Sequence, residues 1–79
     1  MTLISRVAKV FNEAFAVAAE SITDQTVPDD IQKWDSLGHM NMVSKLESEF
    51  GTQFEVDEVM EMASVQNILD VLTRKGIKG

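Results

Sequence analysis

Residues 35–51 read D-S-L-G-H-M-N-M-V-S-K-L-E-S-E-F-G. The stretch opens on residues that cap helices and closes on a glycine that stops them, so it predicts a helix from about Ser36 to Glu49 or Phe50. Stepping roughly 100° per residue gathers Met42, Val43, Leu46 and Phe50 in one arc, with His39 inside it. That arc is the core face. Asn41, Ser44, Lys45, Ser48 and Glu49 cover much of the other side. Leu37 falls among the polar residues and Met40 on the border. A single exposed leucine is ordinary. Leu37 and Met40 beside Ser36, with Glu47 and the acids of 55–61 around them, also have the layout of a transient protein-binding patch.

The segments on either side have the same helical period. Before it, Leu3, Ile4, Val7, Val10, Phe11, Ala14, Phe15 and Val17 share a face, which predicts a helix from about Thr2 or Leu3 to about Ala18. Thr2 is its N-cap, and Met1 has room to pack over it. Residues 19–35 have no long periodic run and are rich in turn formers, so they form a long first loop. Val27, Ile31 and Trp34 are expected to pin that loop to the core. After Gly51 comes a connector with Phe54 and Val56 pointing inward, then a short helix over Asp57–Met62. Ser64 caps a last helix with Val65, Ile68, Leu69 and Leu72 on one face. Gly76 ends it behind Arg74 and Lys75. The fold class is therefore all-α: a small four-helix bundle with a short third helix, forming a single domain over residues 1–79.

The 79 residues carry 13 acids and 7 bases, for a net charge of −6. A chain of this size buries only roughly 60% of its unfolded surface. Between Asp35 and Glu61 the only base is Lys45. Such a negative field repels nucleic acid and attracts basic protein surfaces. Arg74, Lys75 and Lys78 suit a helix end better than a nucleic-acid site. There is no cysteine, hence no disulfide and no thiolate metal site. Asp24, Asp29 and Asp30 lack the spacing of a calcium loop, and Asp57, Glu58 and Glu61 read as a solvated face. No apolar run is long enough to span a membrane and no secretory signal opens the chain, which gives a cytoplasmic expectation.

Ser36 admits three readings. As a hydrolytic nucleophile it needs a base and a group orienting that base. His39 is the only histidine, it lies on the core arc, and it reads as a partly buried helix histidine with a local hydrogen bond. As an N-cap Ser36 fits, and so does Asp35. Gly38, in the same turn, is either a tolerated cost of roughly 1 kcal/mol against alanine or a place where a partner or bulky group comes close to Ser36.

The third reading comes from the whole stretch. D-S-L at 35–37 with L-E-S-E-F-G at 46–51, between an apolar first helix and a capped last one, resembles the acyl carrier proteins of the phosphopantetheine-carrying family over nearly the entire chain. The resemblance implies that Ser36 receives 4'-phosphopantetheine from coenzyme A through a Mg²⁺-dependent phosphopantetheinyl transferase. The arm then carries an acyl or aminoacyl group as a thioester, so the chain is not itself an enzyme. Asp35 resembles the acid that the transferase reads, and Leu37 and Met40 the apolar contacts of the recognition helix. Glu47, Asp57, Glu58 and Glu61 resemble the charged docking surface. The implied partners are that transferase, an acyl or aminoacyl ligase, and downstream acyltransferase or synthase enzymes, served by a monomeric carrier without stable membrane insertion.

Fatty-acid carriers usually place a glycine near the position of Lys33 or Trp34 and acids near those of Gly38 and Asn41, and Ser48 is neutral as well. These departures favour a dedicated carrier, as in polyketide, nonribosomal or aminoacyl pathways, over the primary carrier of fatty acid biosynthesis. Met42, Leu46, Phe50, Phe54 and Ile68 could line an interior that admits part of a chain, and serve equally as ordinary core. The competing reading is a non-modified helical interaction module with Ser36 as an N-cap.

Overall fold

The computed structural model describes residues 2–77; Met1 and Lys78, named above, lie outside the described residues. Four helices form the bundle: α1 Leu3–Phe15, α2 Ser36–Phe50, α3 Val56–Glu61 and α4 Val65–Arg74. No strand occurs among the described residues.

The Thr2 hydroxyl accepts from the Ser5 N–H at 3.3 Å, which starts α1 as expected. The helix ends at Phe15, about a turn before Ala18. Ala16 takes a left-handed conformation (φ 56°) and donates its N–H to the Asn12 carbonyl at 3.0 Å. The Asn12 amide then donates to the Val17 carbonyl at 2.8 Å and turns the chain out of the helix. Val17 therefore meets the core from the loop, not from the helix face.

The long loop has structure of its own, with single 3₁₀ turns at Ala19–Ser21 and Pro28–Asp30. Ile22, Ile31 and Trp34 are its buried anchors, whereas Val27, expected to pin it, is exposed. Thr26 ties the loop to the last helix: its carbonyl accepts from the Val65 N–H at 2.9 Å. Its buried hydroxyl accepts from the Thr23 N–H at 3.0 Å.

Val7, Val10, Phe11 and Phe15 of α1 pack with Met42, Val43 and Leu46 of α2 and Val65, Ile68, Val71 and Leu72 of α4. Trp34 is 5% exposed. Its ring meets Phe11 edge-on, with centroids 5.0 Å apart, and stacks on Phe15 at 6.0 Å. Arg6 and Lys9 of α1 both reach Glu49 of α2, and the Arg6 guanidinium lies 4.4 Å over the Phe50 ring. Gly51 (φ 62°) closes α2 in the left-handed region that suits glycine.

The short helix starts one residue earlier than expected, at Val56, and packs on α4. Only its Val59 and the following Met62 join the core. Val56, expected to point inward, is 74% exposed. The reason is that α3 makes little contact with α2, so Val56 faces an open groove between them. Ser64 caps α4 as expected, accepting from the Asn67 N–H at 3.1 Å, and Gly76 (φ 83°) follows its end. No described helix is long and apolar enough to cross a membrane.

Candidate functional site

The start of α2 divides capping and exposure between two neighbours. Asp35 holds extended backbone (φ −108°), and its Oδ1 accepts from the Gly38 N–H at 2.8 Å. Its carbonyl accepts from the His39 N–H at 2.7 Å. Asp35 is therefore the N-cap and Ser36 the first helical residue. This corrects the reading of Ser36 as the cap, because the bond that satisfies the third N–H of the helix comes from the residue before it. The Ser36 side chain is exposed and makes no hydrogen bond among the described residues. Asp35→Ala is expected to cost about 1 kcal/mol of stability, a typical value for a lost cap, measurable by urea denaturation.

Leu37 is 85% exposed and Met40 54% exposed. Leu37 stands on the polar face the wheel assigned it, and Met40, set on the border, is more than half exposed. Gly38 shows what the sequence left open. A Cβ built on it would lie 1.8 Å from the Lys33 carbonyl oxygen and 3.1 Å from the Phe15 ring. The missing side chain admits the chain's own loop, neither a tolerated cost nor a gap for a partner.

His39 is half-buried, as expected of its arc. The Trp34 Nε1–H donates to its Nδ1 at 2.8 Å, and its Nε2 lies 3.0 Å from the Val59 carbonyl oxygen. Indole is only a donor, so Nδ1 carries the lone pair and Nε2 the proton. Both nitrogens are engaged, so His39 is not free to act as a base on Ser36, which argues against the hydrolytic reading.

An open groove of ≈ 600 Å³ runs beside the serine, lined among others by Trp34, Asp35, Ser36, His39, Met40 and Met60. Met40, Val59 and Met60 separate it from a second groove bordered by Phe54 and Val56. Met60, 77% exposed, belongs to this apolar surface, and the sequence reading did not single it out. Its signal was available: it stands between Val59 and Met62, which face the core.

Several acids expected on the docking surface have partners within the fold. Glu47 accepts from the Phe54 N–H at 2.9 Å. Glu58 accepts from the Glu55 N–H at 2.8 Å and pairs with Lys75 at 3.2 Å. Glu61 pairs with Arg74. Asp57 is exposed. The Glu55 N–H, and after it Lys75, holds the Glu58 carboxyl below the ordinary carboxylate range. A lowered folded-state value stabilises the fold above the unfolded value and is lost as pH falls through the folded one. The Glu58 carboxyl is expected to titrate at lower pH in the folded chain than in the urea-unfolded chain, as carboxyl NMR would read. Lys75→Met should bring the two midpoints closer.

Residues 3–72 match the family described as a phosphopantetheine attachment site. The chain belongs to that family. A search of curated proteins finds no match. The phosphopantetheine attachment family is one of carriers, not catalysts, and implies a covalently held phosphopantetheine and enzymes that attach and use it. The residues at the start of α2 fit such a group. Ser36 offers an exposed hydroxyl at the edge of an open groove. Its own N–H and that of Leu37 have no partner among the described residues, and the first N–H groups of a helix favour a phosphate.

Proposed function

We propose that this protein carries acyl or aminoacyl intermediates on a 4'-phosphopantetheine arm bonded to the Ser36 hydroxyl, delivering them to partner enzymes of a specialised biosynthetic pathway. The observation that carries this reading is the freedom of Ser36. Asp35 performs the capping, so the serine hydroxyl is exposed and makes no hydrogen bond among the described residues, in a chain of the attachment family. When bound, the arm supplies a terminal thiol that holds cargo as a thioester.

What the chain's own residues do is position and present. Asp35 fixes the first turn, and the N–H groups of Ser36 and Leu37 would hold the phosphodiester. A phosphopantetheinyl transferase, an acyl or aminoacyl ligase and downstream acyltransferase or synthase enzymes would each meet the same face. Leu37 and Met40 form its apolar contact, with Asp57 as the acid least engaged elsewhere. Glu47, Glu58 and Glu61 would add charge to that face while keeping their partners inside the fold. A tethered cargo gains effective concentration at each docked enzyme, and small contacts allow exchange between enzymes.

Support for a specialised pathway is the neutral character of the first turns, with Gly38, His39 and Asn41 following Leu37. A cytoplasmic, monomeric, single-domain carrier completes the proposal. Its test is incubation with coenzyme A, Mg²⁺ and a broad-specificity phosphopantetheinyl transferase. Intact-mass measurement should show one added phosphopantetheine. An unchanged mass, with a control carrier modified in the same tube, would sink the proposal.

A further inference from the structure

The third helix is weakly held on the side of the groove. It packs on α4, with its Val59 and the following Met62 in the core, and makes little contact with α2. One hydrogen-bonded chain crosses from the other side. The Trp34 Nε1–H donates to His39 Nδ1 at 2.8 Å, and His39 Nε2–H donates to the Val59 carbonyl at 3.0 Å. The indole and imidazole rings lie nearly parallel, 9° apart with centroids at 6.2 Å. Trp34 is anchored in turn against Phe11 and Phe15 of α1. The chain thus links α1, the loop, the first turn of α2 and the last turn of α3 beside Ser36.

We propose that His39 is a positioning residue that holds α3 across the groove next to Ser36, and that it does so only as the neutral imidazole. The reason is donor accounting. The indole N–H has no lone pair to offer, so the bond needs an unprotonated Nδ1. A second proton on the ring sets N–H against N–H at Nδ1. The imidazolium must then leave the indole, and the tie from its Nε2–H to Val59 moves with it. Loss of that proton restores both bonds.

Among the described residues no carboxylate pairs with the ring to hold the charged form in place. Asp35, the one charged side chain lining the groove among the described residues, is committed to the Gly38 N–H. On α3, Glu58 turns to Lys75, just past α4, and Glu61 to Arg74 of α4, and Asp57 is exposed. From α1, Phe11 and Phe15 face the indole. This role does not depend on Ser36 bearing the arm, so it is tested on the unmodified chain.

The protein has one tryptophan and one histidine, which makes the readout clean. Nitrogen NMR of the imidazole should show a bare Nδ1 and a protonated Nε2 at neutral pH. Amide exchange is then compared on either side of the measured His39 midpoint. Protection of α3 amides should fall about three- to tenfold on the acid side, the worth of one hydrogen bond, with α1 and α4 unchanged. His39→Gln retains a donor and an acceptor, and should keep α3 protected at both pH values. His39→Phe should leave α3 weakly protected at both. The proposal is overturned if α3 and α4 lose protection together or if α3 does not respond to pH. Response of His39→Gln like the unaltered chain would also overturn it. Should His39→Phe fail to fold, the unaltered chain and His39→Gln still decide the matter.

Discussion

Ser36→Ala is expected to abolish the gain of one phosphopantetheine mass while leaving the fold's stability within about 0.5 kcal/mol of the unaltered chain. The two halves of this result come from different atoms. Loss of modification follows if the serine oxygen is the attachment point. Unchanged stability follows because the hydroxyl makes no hydrogen bond among the described residues and Asp35 already accepts the Gly38 N–H. Had Ser36 been the cap, its replacement by alanine would cost about 0.5–2 kcal/mol. Mass spectrometry and urea denaturation on the same sample therefore separate carrier from capped helix. A variant that still gains the mass would move attachment elsewhere, and the exposed Ser44 and Ser48 of the same helix would be the next positions to replace.

Helix ends marked by a special residue were legible in the sequence. Gly51, Gly76 and Ser64 each announce a boundary, and each stands where its chemistry put it. The end of α1 carried no such mark. An alanine takes the left-handed position, and the signal that assists it is the Asn12 side chain reaching Val17. The apolar pattern runs on through Val17, so periodicity extended the helix past its true end. Val56 failed for a different reason. Hydrophobicity predicts burial only where another surface is packed opposite, and α3 turns its first residue to the groove.

At the start of α2, the exposure of Leu37 followed from the wheel, which set Met40 only on the border. The division of labour between Asp35 and Ser36 did not, since both residue types cap helices and differ by one position in register. The acids were harder still. Their spacing suggested a charged surface, but Lys75 and Arg74 come from the end of α4, 17 and 13 residues further on. Pairing over that separation is set by how α3 lies on α4. Trp34 was read as a core anchor of the loop and His39 as partly buried, yet the bond between them depends on a loop path that no local pattern encodes.

Gly38→Ala is the change for which helix propensity and packing give opposite signs. Propensity favours alanine over glycine by about 1 kcal/mol in a helix interior, and Gly38 has helical backbone with no need of positive φ. Packing opposes it. The new Cβ would fall 1.8 Å from the Lys33 carbonyl oxygen and 3.0 Å from the carbon that bears it. Those are backbone atoms, so no side-chain rotation relieves the clash. The loop must move away from α2, and the neighbour of Lys33 is Trp34, buried between Phe11 and Phe15 and bonded to His39. Overpacking of this kind costs about 1–3 kcal/mol, occasionally more. In a small bundle, whose whole stability is a few multiples of that, such a loss is large. We expect Gly38→Ala to lower the urea midpoint and to alter Trp34 emission in the folded state. A variant as stable as the unaltered chain, with unchanged emission, would show that Lys33 and the start of α2 are not in the close contact that places Trp34 against His39.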